Sequence, residues 1–485
     1  MTPGPAVGGA AGSTGGPARV PRNHVVVLFG ATGDLAARKL IPGFFHLCEV
    51  GLMPSDFRII GCSRSDCTDD DFVGVAADAI TRFGSSDPTG EAWEAFSSRL
   101  GFVPADDYGD LAAAVSQARS GIGDDAAVLH YLSVPPLAMP GIIGELDSSG
   151  LAGAASKVIL EKPFGTDLAS ATELDALLHS VFNEDQIFRI DHFLGKEDVQ
   201  NILAVRFSNR LFEPIWCAEH VRNIQIDVPE TLGIENRAGF YDATGAFRDM
   251  VVTHLFQTLG FVAMEPPSRF TSDSLHREKQ RVFDALAPLD PSRVVRGQYE
   301  GYLDADGVAE GSTTETLVAP EARIDNERWD GVPIYLRTGK RMPLDKRAVI
   351  LKLKHPPMGM FDDQDTHGNE LVFEIGEPGS IRINFTSKEP GASLELGSAH
   401  MDFDYRSSFD PRCELEAYER LLHDAMLDDH MLFNRSEGIE RLWEVSAPLL
   451  DSPPEVESYP VGSWGPAAVD GLLSPYHWRL PHQSG

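Results

Sequence analysis

Near residue 200 the hydrophobic periodicity of this chain changes, and no other feature limits its possible folds as much. Between 24 and 190, short apolar runs (His24 to Phe29, Phe57 to Cys62, Val128 to Ser133, Lys157 to Leu160, Gln186 to Ile190) alternate with helical stretches such as Asp69 to Phe83 and Leu168 to Phe182. Apolar runs without alternation mark strands buried on both faces, and the helices between them mark a mostly parallel, doubly wound sheet. Beyond 200, Ile224, Ile226 and Val228 alternate with Gln225 and Asp227; Leu371, Phe373 and Ile375 with Val372 and Glu374. Ile381, Ile383 and Phe385 alternate with Arg382, Asn384 and Thr386, and Met401, Phe403 and Tyr405 with Asp402 and Asp404. Period two predicts strands with one wet face in a large, mainly antiparallel sheet. Helices should interrupt that sheet at roughly Thr244 to Ala263 and Glu414 to Leu427. The expected organisation is a disordered Gly-, Ala- and Pro-rich tail over 1–20, an α/β domain over 21–190 and an α+β domain over 191–485.

At 485 residues the chain exceeds what one core usually serves, which agrees with two domains. A formal net charge of −32 argues against nucleic acid or an anionic membrane as partner, because both need clustered cations. An anionic small molecule would have to be held by a local basic pocket, against the field of the whole molecule. The five cysteines, at 48, 62, 67, 217 and 413, form no CxxC pair and leave one over, which suits a reducing cytoplasm. No apolar run approaches the roughly 18 residues that a membrane span requires.

Where the first apolar run ends, Gly30, Gly33 and Ala36 have the GxxGxxA spacing of a dinucleotide fingerprint. Glycine allows the sharp turn and the close approach of backbone to pyrophosphate, and the following helix offers unpaired N–H groups to phosphate. Gly30, Thr32, Gly33, Asp34 and Leu35 are the candidate phosphate-loop residues, although Pro42-Gly43 should interrupt the helix early. The second run ends Ser63-Arg64-Ser65-Asp66. An NAD site usually presents a carboxylate there and an NADP site an arginine, which can fork onto the 2′-phosphate. Arg64, with Ser65 beside it, therefore points to NADP, while Asp66 leaves NAD use open.

The run Arg189 to Glu197, RIDHFLGKE, places the carboxylate of Asp191, the imidazole of His192 and the ammonium of Lys196 within six residues. A structural turn could use Asn, Gly or Ser instead. If the segment turns helical, His192 and Lys196 lie four apart on one face and form a two-point clamp for a phosphate.

Together with Glu161-Lys162-Pro163-Phe164-Gly165 and Arg248-Asp249 to His254, these segments resemble, in the same order, the glucose-6-phosphate dehydrogenase family, whose signature reads Asp-His-Tyr-Leu-Gly-Lys-Glu. The resemblance runs from about Val25 to about Gly471 and includes Val199-Gln200-Asn201, Val262 to Pro267, Ile324-Asp325-Asn326 and the VPIYLRTGK run Val332 to Lys340. It implies a Rossmann-like nucleotide domain and a second domain for substrate and oligomerisation, in a homodimer or homotetramer. The implied reaction is oxidation of glucose 6-phosphate at C1 to 6-phosphoglucono-lactone with hydride transfer to NADP, the first step of the pentose phosphate pathway. By resemblance His254 is the general base and Asp191 its partner. Histidine suits that role because its pKa, about 6.5, lies near neutrality, and a carboxylate stabilises the imidazolium that forms. The resemblance also places Lys162 between sugar and nicotinamide, Glu230 and Asp249 at sugar hydroxyls, Lys340 in the substrate loop and Lys39 at cofactor and sugar. Pro135, in the segment Tyr131 to Pro136, falls where the family contacts the cofactor, and Tyr418 is a further candidate at the phosphate. Lys346 is one residue out of the usual register with Lys340. No cluster of ligands suggests a metal, and the oxidation does not require one.

Two other readings compete. A sugar oxidoreductase of the Gfo/Idh type shares the nucleotide domain and a Glu-Lys-Pro segment but lacks the Asp-His-x-Leu-Gly-Lys run. A non-catalytic paralogue would be favoured by loss of Asp191 or His254, and both are present. Phe193 stands where the family signature has tyrosine, keeping the ring and losing a hydroxyl donor. The expectation is that glucose 6-phosphate remains the substrate with a weakened KM.

Overall fold

The computed structural model describes residues 19–480 apart from 106–107, 357–367, 377–378 and 409–414. All but the last two residues of the expected tail, Cys413 and the start of the helix expected from Glu414 lie outside these described residues.

The first sheet consists of β1 (His24–Phe29), β2 (Phe57–Ser63), β3 (Leu100–Pro104), β4 (Ala127–Leu132), β5 (Ser156–Leu160) and β6 (Ile187–Arg189). Their order is β3-β2-β1-β4-β5-β6, and every pair is parallel. In β1, β4 and β5 all residues are buried, as expected of strands covered by helices on both faces. The edge strand β3 escaped sequence reasoning because Phe102 alone among its residues is buried. Capping boxes fix two of the flanking helices: Thr68 with Asp71 opens Asp69–Phe83, and Asp167 with Ser170 opens Leu168–Val181.

Phe29 lies opposite Cys62 and Leu132, Leu132 opposite Leu160, and Leu160 opposite Arg189. The chain therefore leaves the strands at Gly30, Ser63, Ser133, Glu161 and Ile190 along one edge. The winding direction reverses between β1 and β4, and ligands of such sheets bind at that crevice.

The second sheet holds β7 (Val221–Pro229), β8 (Val294–Tyr299), β9 (Leu317–Ala322), β10 (Ile334–Gly339), β11 (Arg347–Leu353), β12 (Glu370–Ile375), β13 (Ser380–Lys388), β14 (Leu396–Asp404) and β15 (Val456–Tyr459). Its order is β14-β13-β12-β11-β7-β10-β9-β8-β15. The pairs β7 with β10 and β8 with β15 are parallel; the other neighbours are antiparallel. The wet face expected of Gln225 and Asp227 is not wet, since both are fully buried. Asp227 is paired with Arg337, while Gln225 donates to the His477 carbonyl and accepts from the Arg479 amide. The C-terminal segment thus covers this face, and its Leu472, Leu473 and Trp478 join Tyr302 and Tyr335 in a second core. One-sided exposure persists towards the other end of the sheet, at β13 and β14. The main core runs without a break from the first sheet, through the helices Glu197–Ser208, Phe256–Ala263 and Ser436–Asp451, to the inner face of the second sheet.

Candidate active site

After β1 the chain turns at Gly30, whose φ of +73° and whose proximity to the Ser133 carbonyl oxygen would put any Cβ in collision. The Gly33 amide closes the turn onto the Gly30 carbonyl at 2.8 Å. A helix begins at Asp34, widens into a π turn over Ala36–Leu40 and continues as Ile41–Glu49. Pro42-Gly43 does not interrupt it, contrary to expectation. Pro42 falls in the first turn after the π segment, where a missing N–H costs little. Bare backbone over 30–33 followed at once by a helix N-terminus fits a pyrophosphate. Thr32 donates to the Ser63 hydroxyl at 3.1 Å, and Ser63 shares a hydrogen bond with Ser65 at 2.7 Å, which ties the glycine turn to the end of β2. Arg64 is exposed and has no ion pair among the described residues. Pro135 follows β4 at the same edge, and Lys39 reaches Glu416 at 2.6 Å.

The second distorted helix carries the reacting end. Gly245, at φ +71°, leaves no space for a Cβ beside the Glu315 carboxylate, which accepts from the Phe247 amide at 2.9 Å. Glu315 thereby caps a helix that restarts at Phe247, so the single helix expected from Thr244 is broken at Gly245. From Phe247 to Leu255 it has π geometry, in which residues five apart come into register; Asp249 and His254 are five apart.

His254 Nδ1 lies 2.6 Å from Asp191 Oδ1, which also accepts from the Phe193 amide at 2.9 Å. Both side chains are buried, and His254 Nε2 has no partner within the protein. Burial, reinforced by Lys162, holds the His254 imidazolium pKa well below its usual value, so the ring is neutral near pH 7. With Asp191 ionised, Nδ1 carries the proton and Nε2 the lone pair. Burial pushes the Asp191 carboxyl up, opposed by His192, the Phe193 amide, Lys162 and Lys279.

Around the dyad stand two further pairs. Lys162 donates to Asp249 Oδ1 at 2.8 Å and to its carbonyl at 3.0 Å. Burial would raise the Asp249 carboxyl, but Lys162, His254 and Lys340 hold it down at about 2. Lys340 pairs with Glu230, and its ammonium lies 5.6 Å from the centre of the Tyr241 ring.

On the other side of His254, Phe193 stacks on the imidazole with ring centres 4.4 Å apart. The segment Asp191 to Lys196 is a pair of turns, and the helix starts only at Glu197, so His192 and Lys196 do not share a helical face as expected. They meet around the Phe193 ring instead: His192 edge-on at 5.1 Å and Lys196 over its face at 4.6 Å. Arg347, which sequence reasoning missed, approaches the same ring at 6.0 Å. The neighbouring Lys346 turns away to Glu374 at 2.6 Å, so the register shift noticed in the sequence hands the inward position to Arg347. Tyr418 stacks on His192 at 6.0 Å with its hydroxyl bonded to Glu161, which directs that hydroxyl away from the clamp. Burial, together with the Tyr131 and Tyr418 hydroxyls around it, leaves the Glu161 carboxyl at about 7. Burial and Arg347 lower Lys196 to about 8.

Asp191, His192 and His254 bring ligand-type atoms within 4.8 Å of one another, as do Asp175, His179 and Glu184. The second group already surrounds a cation, because Arg189 reaches Asp175 at 2.6 Å and Glu184 at 2.9 Å.

Residues 27–201 match the family model for the NAD binding domain of glucose-6-phosphate dehydrogenase, and residues 203–479 match the model for its C-terminal domain. Glucose-6-phosphate 1-dehydrogenase 2 of Mycobacterium tuberculosis is 38% identical over 94% of each chain. Glucose-6-phosphate 1-dehydrogenase of Treponema pallidum is 38% identical over 94% of this chain and 95% of that one. Among solved structures, glucose-6-phosphate 1-dehydrogenase from Mycobacterium avium superposes with a TM-score of 0.84 at 36% identity, covering 95% of this chain and 99% of that one. A glucose-6-phosphate dehydrogenase in complex with glucose 6-phosphate superposes with a TM-score of 0.88 at 32% identity and the same coverage.

Proposed function

Because the chain belongs to the glucose-6-phosphate dehydrogenase family, we propose roles for its residues in the reaction of that family. The chain is an NADP-dependent enzyme that oxidises glucose 6-phosphate at C1 to 6-phosphoglucono-lactone, the first step of the pentose phosphate pathway. The observation that carries the assignment of roles is the buried His254, with Nδ1 on Asp191 and Nε2 unpartnered.

The C1 hydroxyl donates its proton to His254 Nε2. Asp191 holds the ring in the required tautomer and balances the charge that the ring acquires. Bound NADP supplies the hydride acceptor. Its phosphates would be held by Gly30, Thr32, Gly33, Asp34 and Leu35, its 2′-phosphate by Arg64 with Ser65, and the rest by Lys39, Pro135 and Lys162. Support for this path comes from the shared strand edge, along which Ser63, Gly30, Ser133 and Glu161 follow one another. The pairs Lys162–Asp249 and Lys340–Glu230 orient the sugar hydroxyls, each pair offering both donors and acceptors. The 6-phosphate is held by His192, Lys196 and Arg347, with Tyr418 bracing His192.

A homodimer or homotetramer is part of the reading, supported by exposed Leu394 and Met401 near the β14 end of the second sheet. So is a cytoplasmic setting, supported by described cysteines that form no disulfide. No helix among the described residues is long and apolar enough to cross a membrane.

The test is His254→Ala assayed with glucose 6-phosphate and with glucose, each with NADP and NAD. We expect kcat to fall by about 10²- to 10⁴-fold with KM for glucose 6-phosphate nearly unchanged. Near-normal turnover would remove the role of the dyad, and equal kcat/KM for the two sugars would remove the phosphate clamp.

A further inference from the structure

Behind the dyad lies a set of buried polar atoms that the roles above leave unused. Asp191 Oδ2, Gln257 Oε1, Asn434 Oδ1 and Lys279 Nζ belong to buried residues, and none has a hydrogen-bond partner within the protein. Asp191, Gln257 and Asn434 line one chamber of about 10 Å³, walled by Ile439 and Trp443 and roomy enough for about one water. Gln257 is also part of the wall of an adjoining cavity of about 410 Å³, together with Lys279, His276 and Arg435.

Lys279 is the least expected member of this set. It sits on the helix Ser272–Ala285 with 3% of its surface exposed. Its stem lies against Gly260, where a Cβ would stand 2.7 Å from Lys279 Cγ, and its ammonium is 5.5 Å from the Phe261 ring and 5.9 Å from the Phe283 ring. A methionine of similar volume would pack there without the cost of desolvating a charge, so a packing role alone does not explain a lysine. Of the charges that act on it, Arg435 has the same sign, and Asp191 supplies the opposite one. His276 on the same helix faces it as well.

We propose that Lys279 is a positioning residue for the oxidation: its buried charge acts on Asp191 from the side away from the substrate, keeping that carboxylate ionised and His254 protonated at Nδ1 with Nε2 available. This rests on His254 being the base. The other cations facing Asp191 are engaged elsewhere, Lys162 with Asp249, and Lys196 at the phosphate clamp. His192 faces Asp191 from that same side, and Glu161 adds a like charge. A phosphate dianion entering the clamp neutralises Lys196 and would favour protonation of Asp191, whereas Lys279 keeps its influence because it lies beyond the dyad. The sign is fixed by burial: it already pushes the Asp191 carboxyl up, and loss of a nearby cation pushes it further.

The experiment compares Lys279→Met, Lys279→Arg, Asp191→Asn, His254→Ala and the double variant Lys279→Met/Asp191→Asn in the full-length enzyme. Readouts are kcat, both KM values, the pH profile of kcat and the thermal midpoint. Lys279→Met should lower kcat about tenfold or more at neutral pH, a one-unit shift in Asp191 being tenfold in its ionised fraction below its pKa, and should move the acid limb to higher pH. Both KM values should stay within about twofold, Lys279→Arg should recover most of the loss, and Lys279→Met should add nothing in the Asp191→Asn background. A Lys279→Met enzyme with unchanged kcat and acid limb, beside a disabled His254→Ala, overturns the proposal, as do additive effects in the double variant. A nearly normal His254→Ala would instead overturn the assignment of the base. Lys279→Gln keeps a polar head group and takes the place of Lys279→Met should the latter fail to fold, with the same outcomes required of it.

Discussion

The reacting centre and its two ends treat charge in opposite ways. At the centre each cation has its anion: Lys162 with Asp249, Lys340 with Glu230, and His254 bonded to Asp191. At the ends the cations are left without close partners. Arg64 and Lys196 have no ion pair among the described residues, and Arg347 has Asp345 only at 3.4 Å. In a chain of net charge −32, leaving cations unpaired at these places is informative. The centre handles neutral hydroxyls and needs geometry that exists before the substrate arrives, which pairing supplies. The ends receive phosphates, which bring their own negative charge, so a resident carboxylate would only compete. The contrast separates two kinds of defect: damage to the centre should appear in kcat, as with His254→Ala, and damage to the ends should appear in KM.

The largest effects at the ends come from removing a cation. Arg64→Ala should raise KM for NADP by about 10- to 150-fold, the worth of a charge-assisted hydrogen bond of roughly 1.5 to 3 kcal/mol. KM for NAD, which lacks the 2′-phosphate, should hardly change, and equal losses on both cofactors would refute the assignment. Lys196→Met should raise KM for glucose 6-phosphate within a similar range of about 10- to 150-fold while kcat stays within about twofold. A selective fall in kcat would mean that Lys196 belongs to the centre, and the division would collapse.

A smaller effect follows from the lowered pKa of Lys196, about 8, which burial and Arg347 cause. The ammonium is charged below that pH and is lost as pH rises through it, so kcat/KM for glucose 6-phosphate should decline above about pH 8. This parameter reports the free enzyme, where the phosphate does not yet hold the proton on. Lys196→Arg should carry the decline to higher pH, since a guanidinium does not titrate there. An alkaline limb that is the same in Lys196→Arg would have to come from another group.

How far the site could be read from sequence varies with the range of the interactions that build it. The buried strands β1, β4 and β5 were legible because both faces are apolar and the runs are bounded. The glycines after β1 were legible because their position in the chain is their function. By contrast, Gln225 and Asp227 read as a wet face, since nothing near them in sequence announces that a segment some 250 residues later covers it. The π turns have no sequence signature, so the in-register placement of Asp249 and His254 was visible only through family resemblance. Arg347 was lost to a one-residue register at the start of β11, where Lys346 and Arg347 point to opposite sides and sequence alone does not say which points inward. The helical clamp of His192 and Lys196 failed for a local reason: the Asp191 carbonyl accepts from the Leu194 amide and the Phe193 carbonyl from the Lys196 amide, which makes turns.

The smallest expected effect tests the boundary between the two regions, at Phe193. Its ring belongs to both, stacked on His254 on one side and facing Lys196 and Arg347 on the other. As part of the centre it should tolerate only another aromatic ring, because the stack fixes the plane of the imidazole. As part of the clamp it lacks the hydroxyl that the family signature carries, so the 6-phosphate loses one neutral donor while the cations around it remain. A neutral hydrogen bond is worth roughly 1 kcal/mol, about fivefold in affinity. Phe193→Tyr should therefore lower KM for glucose 6-phosphate about fivefold and leave kcat within about twofold, since the stack is kept. Phe193→Leu should instead lower kcat, because a branched aliphatic chain cannot hold the imidazole in plane. If the tyrosine variant changed kcat more than KM, the hydroxyl would be disturbing the stack and the ring would belong to the centre alone. If KM for free glucose fell along with that for glucose 6-phosphate, the hydroxyl would be bonding the sugar rather than its phosphate, and the boundary drawn at Phe193 would have to move towards Lys196.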